Sequence, residues 1–195
     1  MITRYLKEGD FSLIPETRGI YSWFYPIVIY EEDTYESFMH RIRYFLNFSL
    51  DTMESRKWMT FTKENSWEKF HLVFEIEGTN SDSLKRNWNK IKLDPEFKKS
   101  VFESSFWNRP LYVGKAENLN SRINQHQSGV TGFASRFKEA CDAYTFNNNP
   151  DFRFASSLSM RNLLLSFTVL NYDESHLISL EKILQFTTKP NFSIK

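Results

Sequence analysis

Leu111–Ile123 reads LYVGKAENLNSRI, and the run that leads into it, Arg109–Lys115, reads RPLYVGK. The apolar and β-branched residues of RPLYVGK predict a core strand that ends at Gly114, where a glycine commonly closes a strand. Asn118 is a suitable N-cap for a following helix over Leu119–His126, because its side-chain oxygen can accept one of the unpaired N–H groups of the first turn. Arg122 and His126 stand four residues apart on that helix and therefore share one face.

Upstream, Gly19–Tyr30 reads GIYSWFYPIVIY and predicts a strand that Pro26 must interrupt, since proline donates no ladder hydrogen bond. From Thr34 to about Glu54 the apolar residues Tyr35, Phe38, Met39, Ile42, Phe45, Leu46 and Leu50 recur at spacings of three and four, which predicts an amphipathic helix. Lys57–Thr62 and Lys69–Glu77 read as strands, the second closed by Gly78-Thr79-Asn80. Ser81–Ile91 and Pro95–Phe102 read as short helices, with Asp94 capping Pro95.

Downstream, Thr131–Cys141 reads as a helix and Asn162–Asn171, NLLLSFTVLN, as a buried strand. Asp173 caps a helix over Glu174–Phe186, which Pro190 stops. The expectation is an α/β fold: a small three-stranded sheet flanked by helices, with a mixed α/β insertion between the first two core strands. It forms one domain over 1–195, with its core in 16–30 and 109–195 and its insertion in 31–108.

The chain has 195 residues, 17% of them aromatic, which favours a packed core over disorder. Net charge is +1, from 25 basic and 24 acidic residues, so an overall basic attraction to nucleic acid is excluded and any phosphate-binding surface must be local. Glu31, Glu32, Asp33 and Glu36 form an acidic patch. Lys85, Arg86, Lys90, Lys92, Lys98 and Lys99 form a basic stretch, which reads first as solvated helix faces. Between Arg109 and Lys138, Arg109, Lys115, Arg122, Arg136 and Lys138 stand against Glu117 alone. Trp23, Trp58, Trp67, Trp88 and Trp107 read as packing residues. Cys141 is the single cysteine, which rules out an intrachain disulfide and a paired-cysteine zinc site. With no continuous apolar run near the N-terminus and none long enough for a bilayer, a cytoplasmic location is expected.

GxxxxGK[ST], HExxH and GxSxG are absent. What remains is a dispersed set: Gly19-Ile20-Tyr21 on the first strand, Tyr112-Val113-Gly114 on the second, Arg122 and His126 on the next helix, Glu181 on the last helix and Asn191 just beyond Pro190. This set resembles the GIY-YIG nuclease superfamily, over about Thr17–Tyr25 and Pro110–Phe192. Leu111–Ile123 is similar to the N-terminal nuclease domain of the excision-repair incision subunit. The long insertion and the Arg-x-x-x-His pair look more like the family's restriction endonucleases of the Eco29kI type.

The resemblance implies an Mg²⁺- or Mn²⁺-dependent endonuclease acting on DNA, a type II restriction enzyme, with a homodimer as one arrangement that would cut both strands. The alternatives are a repair- or structure-selective nicking enzyme, an RNase or defence toxin, and an inactive nucleic-acid-binding module. The implied site is Tyr21, Tyr112, Arg122, His126, Lys115 and Asn191 for catalysis, Lys115, Arg122 and Arg136 for substrate, and Glu181 for the metal. Chemically the set is coherent. Mg²⁺ retains most of its waters and needs only one or two protein carboxylates, and Arg122 carries a fork suited to phosphate. His126 can bond or relay a tyrosine proton. Tyr21 positions or deprotonates the attacking water, with Tyr112 beside it. A free tyrosine is a poor base unless a cation such as Lys115 or Arg122 lowers its pKa. The residues alone do not choose which tyrosine is the base.

Overall fold

Four short extended segments pair into one antiparallel sheet in a computed structural model that describes residues 2–6, 11–47, 81–148, 158–171 and 173–192. They are β1 (Ile2–Leu6), β2 (Gly19–Phe24), β3 (Tyr112–Ala116) and β4 (Leu164–Val169), in the order β1-β4-β2-β3. The expected three-stranded core is present as β4-β2-β3, and β1 adds a fourth strand to its edge. ITRYL has the length and mixed polarity of an ordinary edge strand. Only the pairing of Ile2–Leu6 with Val169–Leu165 reveals it. The β2–β3 register sets Tyr21 opposite Gly114, and the β2–β4 register sets Tyr21 opposite Phe167.

The helices are α1 (Tyr35–Asn47), α2 (Ser81–Ile91), α3 (Pro95–Glu103), α4 (Leu119–Gln127), α5 (Gly132–Asn148) and α6 (Glu174–Thr188). Three caps fall where the sequence places them. Asp94 accepts from the backbone N–H of Glu96 and Phe97, Asn118 from Ser121, and Asp173 from His176. Several boundaries differ from the sequence reading. The first strand stops at Phe24, before Pro26, and the backbone N–H of Ile27 turns to Ser105 Oγ at 2.8 Å. The second strand starts only at Tyr112 and runs past Gly114 to Ala116. α5 continues to Asn148, and β4 begins after a 3-10 turn at Met160–Asn162. The expected strands Lys57–Thr62 and Lys69–Glu77, the helix beyond Asn47, and Trp58 and Trp67 lie outside the described residues. Among the described residues no helix is long and apolar enough to cross a membrane.

Alternation along the strands gives the sheet two buried faces. Tyr21, Trp23, Leu165 and Phe167 join Leu119 and Ile123 of α4, Phe133 and Phe137 of α5, and Phe192 in the larger core. On the opposite face Ile20 and Val113 meet Leu170, Leu177, Leu180 and Leu184, so α6 covers that side. A second cluster buries Ile27 and Ile29, just beyond β2, together with Phe38 and Trp88 of the insertion. Trp107 departs from the packing role expected of the tryptophans: it is 89% exposed.

A buried ion pair fixes the insertion. Arg41 Nη1 and Nη2 donate to Asp33 Oδ1 and Oδ2 at 2.6 Å each, Nη2 also donates to the Val28 carbonyl, and the guanidinium lies 4.9 Å from the Tyr30 ring centre. The Asp33 carbonyl accepts from Trp88 Nε1 at 2.9 Å, which ties α2 to the same turn. Asp33 is therefore no member of an exposed acidic patch. Glu36 and Glu31 are paired with Lys85 and Lys98, so the acidic patch and part of the basic stretch neutralise each other. Such exposed pairs add little stability.

Removing one partner of a buried pair strands the other charge, at a cost of about 3–5 kcal/mol. Arg41→Ala is expected to lose that much in urea unfolding. A loss below about 1 kcal/mol would mean that Asp33 recovers its hydration when Arg41 is gone.

Candidate active site

The site is built where β2 and β3 meet under α4. A Cβ at position 114 would lie 2.6 Å from Tyr21 Oη and 2.7 Å from Tyr112 Cε1. Glycine is thus needed at this point to make room for the hydroxyl of the residue facing it across the sheet. Tyr21 is almost fully buried and Tyr112 is half-buried. Asn118 starts α4 so that Arg122 and His126 project from one face over the strands.

His126 is fully buried, with both ring nitrogens engaged. Its Nε2 lies 2.6 Å from Tyr21 Oη and its Nδ1 lies 2.7 Å from Thr131 Oγ1. Arg122 Nε donates to Tyr21 Oη at 3.4 Å, and its Nη1 donates to Gln125 Oε1 at 3.0 Å. Tyr112 stacks on Phe133 with ring centres 4.7 Å apart and meets the His126 ring at 5.5 Å. Trp23 and Phe133 complete the apolar wall around the imidazole.

This burial sets the charge states. Desolvation, helped by the Arg122 charge, lowers the His126 pKa to about 3, so the ring is neutral at ordinary pH. Desolvation, reinforced by Tyr112, raises Tyr21 above the usual tyrosine value, while Arg122 pulls it down. In the free protein Tyr21 is accordingly a phenol.

Glu181 stands on α6, which covers the other side of the sheet. Gln185 Nε2 donates both to the Val113 carbonyl of β3, at 3.1 Å, and to Glu181 Oε1, at 3.2 Å. Lys182 bonds to Gln185 Oε1 rather than to Glu181. Glu181 is partly exposed and, among the described residues, is in no ion pair, so its carboxylate is available to a cation. No cluster of three or more His, Cys, Asp or Glu capable of holding a metal occurs among the described residues. One partly exposed carboxylate held by Gln185 fits a hard, water-rich ion such as Mg²⁺ and does not fit a zinc-type cage.

Other expected site residues make their bonds elsewhere. Lys115 falls on the Ile20 face of the sheet, and its Nζ lies 3.3 Å from Glu174 Oε1. Arg136 Nη2 donates to the Phe192 carbonyl at 2.7 Å, with its Nε buried and unpartnered. Asn191 Nδ2 donates to the carbonyls of Phe45 and Leu46 at 3.1 Å each, satisfying the open end of α1, and its Oδ1 has no partner among the described residues. The structure therefore joins Tyr21, Tyr112, Arg122 and His126, places Glu181 beside β3, and gives Lys115, Arg136 and Asn191 no bond to that group. Sequence reasoning missed Thr131 and Gln185. Thr131 carried a signal, as an N-cap residue directly before a helix. Gln185 carried none beyond its spacing of four from Glu181.

Residues 98–194 match the family model described as the GIY-YIG catalytic domain. The match covers just under half of the chain and supports a nuclease function for it. Searches of curated proteins and of solved structures gave no match. The matched span contains β3, α4, β4 and α6 but not Gly19–Tyr21. Those residues nonetheless pair in register with the Tyr112–Gly114 strand of the GIY-YIG domain.

Gly114→Ala is expected to lower stability by about 1–3 kcal/mol, the usual range for overpacking. Unchanged urea unfolding would show that the Tyr21 hydroxyl does not occupy this space. Acid should destabilise the protein through His126. The unfolded imidazole binds a proton near pH 6.5 and the folded one only near about 3, so the stabilisation is complete above pH 6.5 and is lost as pH falls below it. Between pH 7 and pH 5 His126 is expected to account for a loss on the order of 2 kcal/mol. A His126→Gln variant with the same pH slope as the parent would disprove this.

Proposed function

We propose that this GIY-YIG chain is a divalent-metal-dependent endonuclease that hydrolyses DNA phosphodiester bonds, and specifically a type II restriction endonuclease. The observation that carries the endonuclease reading is the hydrogen-bonded group Tyr21–His126–Arg122; Glu181, in no ion pair among the described residues, is tied through Gln185 to the Val113 carbonyl of the same strand pair. Mg²⁺ or Mn²⁺ on Glu181 would supply, when bound, positive charge to the phosphoryl oxygens.

The chain's own residues do the rest. Arg122 is partly exposed and turns its guanidinium toward both tyrosines, where it can take a phosphate oxygen while holding Tyr21 Oη. The resemblance gives the attacking water to Tyr21; Tyr112 is the more accessible tyrosine, so in this proposal it meets the water while the buried Tyr21 orients the group. His126 remains neutral, holds Tyr21 Oη in place and carries no charge into the site. Lys115 and Arg136 would widen the phosphate-binding surface only by leaving their present partners.

The restriction reading rests on the Arg-x-x-x-His pair and on the insertion, whose helices α1 and α2 pack through Phe38 and Trp88 and are suited to carry a recognition surface. One active site per chain makes a homodimer the simplest way to cut both strands, and a two-fold protein would match a palindromic target. A cytoplasmic location belongs to the same proposal.

The test incubates the purified protein with supercoiled plasmid, long unmodified DNA, branched DNA and RNA, with Mg²⁺ or chelator. Discrete fragments from unmodified DNA are expected, with chelator abolishing them and Glu181→Ala reducing the rate roughly 10²–10³-fold. Nicks confined to branched DNA would replace restriction by repair, and loss of RNA alone would point to an RNase. Wild type and Glu181→Ala equally inert on every substrate would overturn the endonuclease reading.

A further inference from the structure

His126 is flanked by two hydroxyls, and a neutral imidazole can donate to only one of them. The direction of this chain follows from Thr131. Thr131 is the N-cap of α5: its Oγ1 accepts the Ala134 backbone N–H at 3.2 Å, and its carbonyl accepts the Ser135 N–H. It is also 93% buried, being 7% exposed. Apart from that cap, the Oγ1 atom has one partner among the described residues, His126 Nδ1 at 2.7 Å. If Nδ1 carried the proton, Oγ1 would accept twice and its own hydrogen would be buried without an acceptor, which is costly. If the Thr131 hydroxyl donates to Nδ1, every group is satisfied, and the imidazole hydrogen must sit on Nε2.

From this we infer that Thr131 is a positioning residue that fixes His126 as the Nε2–H tautomer, so that the ring donates to Tyr21 Oη. This rests on the nuclease reading of the same site. Tyr21 Oη then receives N–H groups from both His126 and Arg122, and its own hydrogen is turned away from the histidine toward the side where Tyr112 and substrate lie. The reverse tautomer would draw the Tyr21 hydrogen back to His126 and leave nothing to donate outward. The N-cap of α5 thus sets the polarity of a chain running Thr131, His126, Tyr21 and outward. The titratable or charged groups facing His126 are Tyr21 from β2, Tyr112 from β3 and Arg122 from its own helix, with Thr131 at the start of α5.

Nitrogen-15 NMR of the histidine ring reads the tautomer directly, without substrate. At pH 8 the wild type and Thr131→Ser are expected to show His126 protonated on Nε2. Thr131→Asp keeps a capping oxygen but cannot donate, so the His126 proton should move to Nδ1. The kcat for DNA cleavage should then fall on the order of a hundredfold at pH 8, with KM held within about threefold. It should recover partly as acid restores an Nε2 hydrogen to the charged ring. If Thr131→Asp does not fold, Thr131→Val supplies the comparison: a mixed tautomer and a lowered kcat, both restored in Thr131→Ser. A wild-type proton on Nδ1, or a proton moved to Nδ1 with kcat unchanged, would overturn the inference. Should the wild type cleave nothing, the nuclease proposal fails, and the NMR spectra still decide what Thr131 does to His126.

Discussion

The pairing of Tyr21 with Gly114 is the constraint on which the rest of the site depends. Two segments separated by the whole insertion must meet in one register, and a slip of one residue would turn Tyr21 to the opposite face of the sheet. Gly114 admits the correct register by leaving space for the phenol oxygen. Once Tyr21 is there, its hydroxyl falls under α4, where Arg122 and His126 are one turn apart. The same strand offers its Val113 carbonyl on the other side, which Gln185 uses to hold Glu181 near the sheet. One strand pair therefore gathers the tyrosines, the guanidinium and the imidazole, and its Val113 carbonyl ties in the helix that carries Glu181.

Burial grades these groups by role. His126 and Tyr21 are deep, and low polarity keeps both uncharged. Tyr112 and Arg122 are nearer water, and Arg122 keeps its charge because two phenols offset its desolvation. Glu181 is partly exposed. The arrangement is neutral inside and charged at the rim, so a chain of nearly zero net charge can still present a local phosphate-binding surface. Three of the insertion's acidic residues, Glu31, Glu36 and Asp33, are paired with Lys98, Lys85 and Arg41.

The insertion is attached to the core by a few polar contacts as well as by packing. Asn191 donates to two carbonyls at the end of α1, and Tyr44 donates to the Ala140 carbonyl of α5 at 3.0 Å. Asn191, which follows the last helix of the matched span, thus anchors the inserted helix and makes no bond to Tyr21 or Arg122.

Leu111–Ile123 by itself determined a strand, a capped helix and the shared face of Arg122 and His126, because these depend on local spacing and on an N-cap side chain. Asp94 and Asp173 fixed two more helix starts on the same local grounds. The position of Glu181 on a helix was also readable there. Tertiary structure alone decided the partner of Tyr21, the fourth strand Ile2–Leu6, the burial of Asp33 with Arg41, and the diversion of Lys115 to Glu174. It also decided that Thr131 lies against His126 and Gln185 against Val113. Each of these is a contact between segments far apart in the chain, set by which face of the sheet a side chain occupies and by what else is buried there, and no local spacing encodes it.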